Sequence, residues 1–183
     1  MNSQDQENRL PRRRVLQWFA AVATAEGLSI PAAIAQEIKT NPTAVTGYGQ
    51  DPVMAKTYER GEVWPLTFTD PEKKAAVALA EMLFPKDDLG PAASEVRVAD
   101  FIDEWVSAPY PRQQGDRKAI IPGLKTLDEE CRKHFQKNFA DASEEQKKAA
   151  CDEMAKGNHF FNVFTGIASG AYYSDPKCWK ALG

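Results

Sequence analysis

Two histidines, His134 and His159, and three cysteines, Cys131, Cys151 and Cys178, are the side chains of this 183-residue sequence best suited to metal or nucleophilic chemistry. Their spacing supports little of it. No two cysteines stand at Cys-x-x-Cys spacing, so local motifs for c-type haem attachment and for iron–sulfur ligation are absent. Glu130 and His134 lie four apart, whereas a di-iron bundle needs paired Glu-x-x-His motifs, and the second motif is missing. His134 could join His159 or Met154 as axial ligands of a haem, but neither histidine sits among small residues that would leave room for one. Both read as helix-surface or hydrogen-bonded groups. The acid pairs Asp87-Asp88, Asp103-Glu104 and Glu129-Glu130 read as solvated faces, because adjacent residues on a helix do not converge on one substrate. There is no Gly-x-Gly-x-x-Gly for a dinucleotide and no Gly-x-Ser-x-Gly for a nucleophile. No catalytic constellation and no metal site emerge.

The cysteines are more informative as structure. Three is an odd number for an exported chain, which leaves one thiol free or paired outside the chain. Cys131 and Cys151 lie ten residues either side of Asp141, in the turn between the third and fourth expected helices. In an antiparallel hairpin they come nearly level, so a disulfide between them and a pair of buried free thiols both remain open. Cys178, in the short tail, is then the odd one.

The elements that would carry these residues are helical. Thr69-Asp70-Pro71-Glu72 places a capping residue ahead of an early proline, and Ala75, Ala76, Leu79, Met82 and Leu83 follow on one face. A second helix opens at Ser94, with Val98, Phe101, Ile102, Trp105 and Val106 at helical spacing. A third carries Ile120, Leu124, Leu127, Cys131, Phe135 and Phe139, with Pro122 near its start or kinking it. Ser143-Glu144-Glu145-Gln146 is a capping box for a fourth helix that ends around Gly157, and a fifth spans Asn158 to Tyr173. Strand alternation is lacking. The expected fold is all-α, an irregular bundle of about five helices over 69–183. An extended N-terminal arm over 36–68 precedes it, where Pro and Gly are dense but Tyr48, Tyr58, Trp64, Leu66 and Phe68 call for a surface to lie on.

Residues 1–35 read as an export address. Arg12, Arg13, one spacer, then Val15 and Leu16 form the core of a twin-arginine signal, a mildly apolar run continues to Ala25, and Ala33-Ile34-Ala35 supplies an Ala-x-Ala cleavage site. That run is about half the roughly 20 apolar residues a membrane span needs. Past residue 35 the chain holds 19 basic and 23 acidic side chains, which argues against nucleic acid as a partner. A signal for exporting folded proteins, on a chain with no cofactor motif, implies that the chain carries another protein.

Two stretches give the sequence a resemblance. Gly61 to Phe68 with Trp64-Pro65-Leu66-Thr67-Phe68, and Asp100-Phe101-Ile102-Asp103-Glu104-Trp105-Val106-Ser107-Ala108-Pro109-Tyr110-Pro111, are similar to the gluconate 2-dehydrogenase subunit 3 family. Asp116-Arg117, Gly123-Leu124 and the segment from Phe160-Phe161 to Gly170-Ala171-Tyr172-Tyr173 fit it too, so that the resemblance covers most of residues 45–180. It implies a non-catalytic small subunit without a cofactor of its own, bound to a glucose-methanol-choline type flavoprotein that holds FAD and oxidises sugars, sugar acids or glycosides. It also implies a periplasmic location, export of both chains by the twin-arginine translocase on this chain's signal, and a cytochrome c as electron acceptor. Tyr48, Trp64, Phe160, Phe161, Tyr172, Tyr173 and Trp179 are the expected partner contacts. Family members usually run on past the position of Gly183, which implies a truncated chain or a reduced tail contact here. The alternative is a stand-alone periplasmic helical protein that binds haem or another ligand.

Overall fold

The computed structural model describes residues 58–182. The expected signal (Arg12, Arg13, Val15, Leu16, Ala33, Ala35) and Tyr48 lie outside the described residues. Five α-helices follow one another: α1 (Asp70–Leu83), α2 (Val98–Ser107), α3 (Pro111–Phe135), α4 (Glu144–Met154) and α5 (His159–Ser174). A single 3-10 turn, Phe139–Asp141, joins α3 to α4, and a 3-10 segment, Pro176–Leu182, follows α5. Among the described residues there is no strand, only an isolated bridge between Asp87 and Gly90. The chain is all-α.

Local chemistry sets most of the boundaries. At α1 the Thr69 amide and hydroxyl both donate to the Glu72 carboxylate at 2.8 Å, closing the first turn. At α4 the Ser143 amide donates to Gln146 Oε1 at 2.9 Å, and the Gln146 amide returns to Ser143 Oγ. At α5 the Phe161 amide donates to Asn158 Oδ1. Three expected boundaries move. Helix α3 ends at Phe135, where Gln136 turns left-handed with φ 58°, so Phe139 falls in the 3-10 segment and not on the third helix. Helix α2 starts at Val98, not Ser94, because Arg97 takes a left-handed conformation with φ 57° and cannot continue the turn made by residues 94–96. Helix α4 ends at Met154, and Gly157, with φ 115°, makes the corner into α5.

Helices α2 and α3 both pack against α1 and α5. Val98, Ile102 and Val106 of α2, Ile120 and Leu124 of α3, Leu79 and Leu83 of α1, and Phe161, Phe164 and Tyr172 of α5 have at most 1% exposure. Tyr172 stacks on Phe84 with ring centroids 4.3 Å apart, and its hydroxyl donates to the carbonyl of Pro91 at 2.8 Å. The tail thereby closes over the 84–93 loop.

Pro122 lies well inside the 25 residues of α3, where it removes one helical hydrogen bond. Gly123 beside it faces Phe160 of α5. A Cβ at Gly123 would come within 2.1 Å of the Phe160 ring and 2.6 Å of Phe160 Cβ, so the ring fills the space a side chain would need. Alanine would improve helix propensity by about 1 kcal/mol, but overpacking costs about 1–3 kcal/mol and the neighbour cannot swing away. Gly123→Ala is therefore expected to destabilise the chain by up to about 2 kcal/mol net in urea unfolding. In a Phe160→Ala background less than half of that penalty should remain. An equal penalty in both backgrounds would show that the ring is not what fixes the glycine.

Candidate functional site

Asp100, Asp103, Glu104 and Ser107 fall at i, i+3, i+4 and i+7, a spacing that gathers them on one face of α2. That face receives the arm. The Gly61 amide donates to Glu104 Oε1 at 2.7 Å and Trp64 Nε1 to the Glu104 carbonyl at 3.3 Å. The Thr67 amide donates to Ser107 Oγ at 2.8 Å, and the Phe68 amide to Asp103 Oδ1 at 2.9 Å. The Arg60 guanidinium pairs with Asp103 Oδ2, and the Ser107 hydroxyl donates back to the Asp103 carbonyl at 2.7 Å. Gly61 turns the chain into this track with φ 77°. Asp103 is 1% exposed, so the reading of Asp103-Glu104 as a solvated pair is corrected: the arm's amides and Arg60 stand where water would be.

Asp100 faces three cations, Lys73, Arg97 and Arg60, the last at 3.7 Å. Burial pushes its pKa up, but the hydrogen bonds from Lys73 and Arg97 and the charges of Lys73 and Arg60 outweigh it and hold the carboxyl below its ordinary value. The outer side of α2 is aromatic. Phe101, 43% exposed, stacks on Trp105, the Arg112 guanidinium lies 5.5 Å over the Trp105 ring, and Trp105 Nε1 donates to Asp116 at 2.8 Å.

A second concavity, about 590 Å³, runs between α3, α4 and the start of α5, with Pro122, Leu127, Phe135, Met154 and Phe160 among its apolar walls. Both histidines line it. His134 Nε2 lies 3.3 Å from Glu130 Oε2, which also pairs with Lys133, and Glu153 pairs with Lys156. Among the described residues no group of three or more His, Cys, Asp or Glu is placed to hold a metal ion.

The expected partner contacts divide. Phe161 and Tyr172 have no exposure and Phe160 only 7%, so all three belong to the chain's own core. The expectation that they face a partner is corrected: α5 turns this stripe onto α2 and α3. Trp64 is half-buried, edge-on to Tyr110 at 6.1 Å. Tyr173 is half-buried, and Trp179 is 53% exposed with its Nε1 bonded to the Tyr173 carbonyl at 2.9 Å. Leu89 and Phe101, which the sequence reading did not single out as contacts, join Trp179 as the exposed large hydrophobics among the described residues. Cys131, Cys151 and Cys178 are all buried, and no bond joins Cys131 to Cys151.

With this geometry in place, comparison with known proteins assigns the chain. The model of the family described as gluconate 2-dehydrogenase subunit 3 matches residues 70–183, more than half the sequence, and the chain belongs to that family. No curated protein and no solved structure matches it. The match begins at the first residue of α1 and includes the whole arm-binding face of α2.

Two measurements test the arm clamp. Asp103→Ala takes the acceptor from the half-buried Phe68 amide and leaves Arg60 only the more distant Asp100, and should cost roughly 1–3 kcal/mol of stability. Amide exchange at Thr67 and Phe68 should accelerate more than exchange within α5. Asp100 has its pKa depressed by folding, so its contribution is complete above the unfolded value near 3.8 and is lost as pH falls through the folded value. An NMR titration should therefore show the Lys73 and Arg97 side-chain resonances, both paired with Asp100, shifting below about pH 4. Asp100→Asn should remove that step, and its persistence in the variant would assign the transition to another group.

Proposed function

From membership of the gluconate 2-dehydrogenase subunit 3 family we propose that this chain is a non-catalytic small subunit that escorts and stabilises a periplasmic flavoprotein dehydrogenase. The partner is a glucose-methanol-choline type subunit that holds FAD and oxidises a sugar, sugar acid or glycoside; a cytochrome c takes the electrons. The family match carries the reading, since subunit 3 is by name one member of a dehydrogenase complex. The signal-like run Arg12-Arg13-Arg14-Val15-Leu16, ahead of an Ala-x-Ala site at Ala33 and Ala35, supports twin-arginine export to the periplasm. The exposed aromatic rings of Phe101 and Trp179 suit contacts that a second chain would cover.

One observation favours a second reading. His134, His159 and Met154 line a single groove, an arrangement that a stand-alone haem or ligand carrier could use. The escort reading expects the isolated chain to have no visible absorbance and no dye-reducing activity with glucose, gluconate or glycosides. A stoichiometric haem or flavin on the isolated chain would favour the second reading instead.

The escort role is tested by changing Arg12 and Arg13 together to Lys, which keeps the charge but removes the planar guanidinium forks. In cells producing both chains, periplasmic dehydrogenase activity is expected to fall at least tenfold while flavoprotein accumulates in the cytoplasm. Undiminished periplasmic activity would mean that the large subunit travels on its own.

A further inference from the structure

Of the large hydrophobic side chains left exposed among the described residues, Leu89 and Trp179 share one end of the molecule. Lys180, next to Trp179, donates to the carbonyl of Asp88, next to Leu89, at 2.9 Å. The 3-10 tail therefore lies against the loop that leaves α1. Beneath this seam Tyr172 stacks on Phe84 and bonds the Pro91 carbonyl, and the Tyr173 ring stands edge-on to Phe84 at 5.9 Å.

Both segments are held in place by their own hydrogen bonds. Asp87 Oδ1 accepts from the Leu89 and Gly90 amides at 2.8 and 3.0 Å, and the Asp87 amide donates to the Gly90 carbonyl. In the tail Asp175 Oδ1 accepts from the Lys177 amide, and the Cys178 amide donates to the Asp175 carbonyl. The one polar atom of the Trp179 side chain, Nε1, is already bonded to the Tyr173 carbonyl. What the indole shows to water is apolar ring alone. Leu89 and Trp179 keep 44% and 53% of their surface in solvent, and neither belongs to the buried core. Two fixed apolar groups side by side in water are unfavourable for a lone chain and suited to a partner, because little side-chain and backbone freedom is left to lose on binding.

We propose that the Leu89–Trp179 patch is the anchor by which this chain holds the catalytic flavoprotein of its dehydrogenase complex. The inference rests on the subunit reading and adds the surface at which the two chains meet. The family is one subunit of a dehydrogenase, and its matched residues, 70–183, contain both halves of the patch. The chemistry that fits is an apolar pocket that takes the indole and the leucine at its centre, with a polar rim facing the exposed Lys177, Lys180 and Asp88.

The full chain is produced together with its flavoprotein, and the complex is purified through a tag on this chain. Bound FAD and dye-reducing activity identify the partner and count it. Leu89→Ser and Trp179→Ala should each weaken the complex at least about tenfold, read from the dilution at which half the FAD is lost. The isolated variants should melt within about 2 °C of the unaltered chain. Hydroxyl-radical footprinting of the unaltered protein keeps the test valid if Trp179→Ala disturbs the tail. Oxidation of Leu89 and Trp179 should slow at least about fivefold between the isolated chain and the complex. Protection already present in the isolated chain would mean that the chain covers the patch itself or with a second copy, and would overturn the proposal. So would a complex that loses its FAD on Phe101→Ser but keeps it in both patch variants. An unaltered chain that never retains a flavoprotein would sink the subunit reading and the proposal together, whereas an unaltered complex that both variants leave intact would sink the surface alone.

Discussion

A carboxylate shut away from water is tolerable only where other groups replace its hydration, and Asp103 is the point on which this structure turns. Its two oxygens take the Arg60 guanidinium and the Thr67 and Phe68 amides, at the place where the arm becomes α1. Helix α2 and the arm therefore need each other. Without the arm, α2 would carry an uncompensated charge against the core; without α2, the arm's backbone would lose its acceptors. The order Asp100, Asp103, Glu104, Ser107 is thus a docking track for the chain's own backbone. Phe101, on the same short helix, is left exposed, stacked on the half-buried Trp105. One ten-residue helix thus holds the arm with its polar face and the core with its apolar one.

Most of the helices were legible because their signals are local. Thr69, Ser143 and Asn158 cap through bonds that reach three residues at most, and each stands where its sequence context places it. The start of α2 was not legible, because nothing in Glu95-Val96-Arg97 announces a left-handed arginine. Family membership was legible in the stretch Asp100 to Pro111, which lies inside the matched residues, whereas Gly61 to Phe68 lies ahead of them. What those stretches do was not. Asp103-Glu104 reads as surface by type, and only the arm folding back over a separation of about 40 residues buries it. The i, i+3, i+4, i+7 spacing of polar residues, on a helix whose other face is apolar, was the signal available.

The aromatic residues of α5 show the opposite limit. Hydrophobicity requires Phe160, Phe161 and Tyr172 to be covered but does not say by what. Here the cover is internal, and Gly123 is part of the reason. Without a side chain at that point α3 comes within reach of the Phe160 ring, so that a residue expected at an interface becomes part of the α3–α5 seam. Contact candidates then pass to residues of less conspicuous sequence context, Phe101, Leu89 and Trp179.

The hydrogen bond from the Tyr172 hydroxyl to the Pro91 carbonyl joins residues 81 apart, and it bears on when the chain can fold during its synthesis. At roughly 5–20 residues per second a ribosome takes about 4–16 s to travel from Pro91 to Tyr172. Over that interval α1 and the loop after it have emerged, but Phe84 has no ring to stack on and α2 has no α5 to cover it. The bundle cannot close until its last helix leaves the exit tunnel. Nascent chains of this protein therefore pass through a stretch of translation with apolar helix faces uncovered.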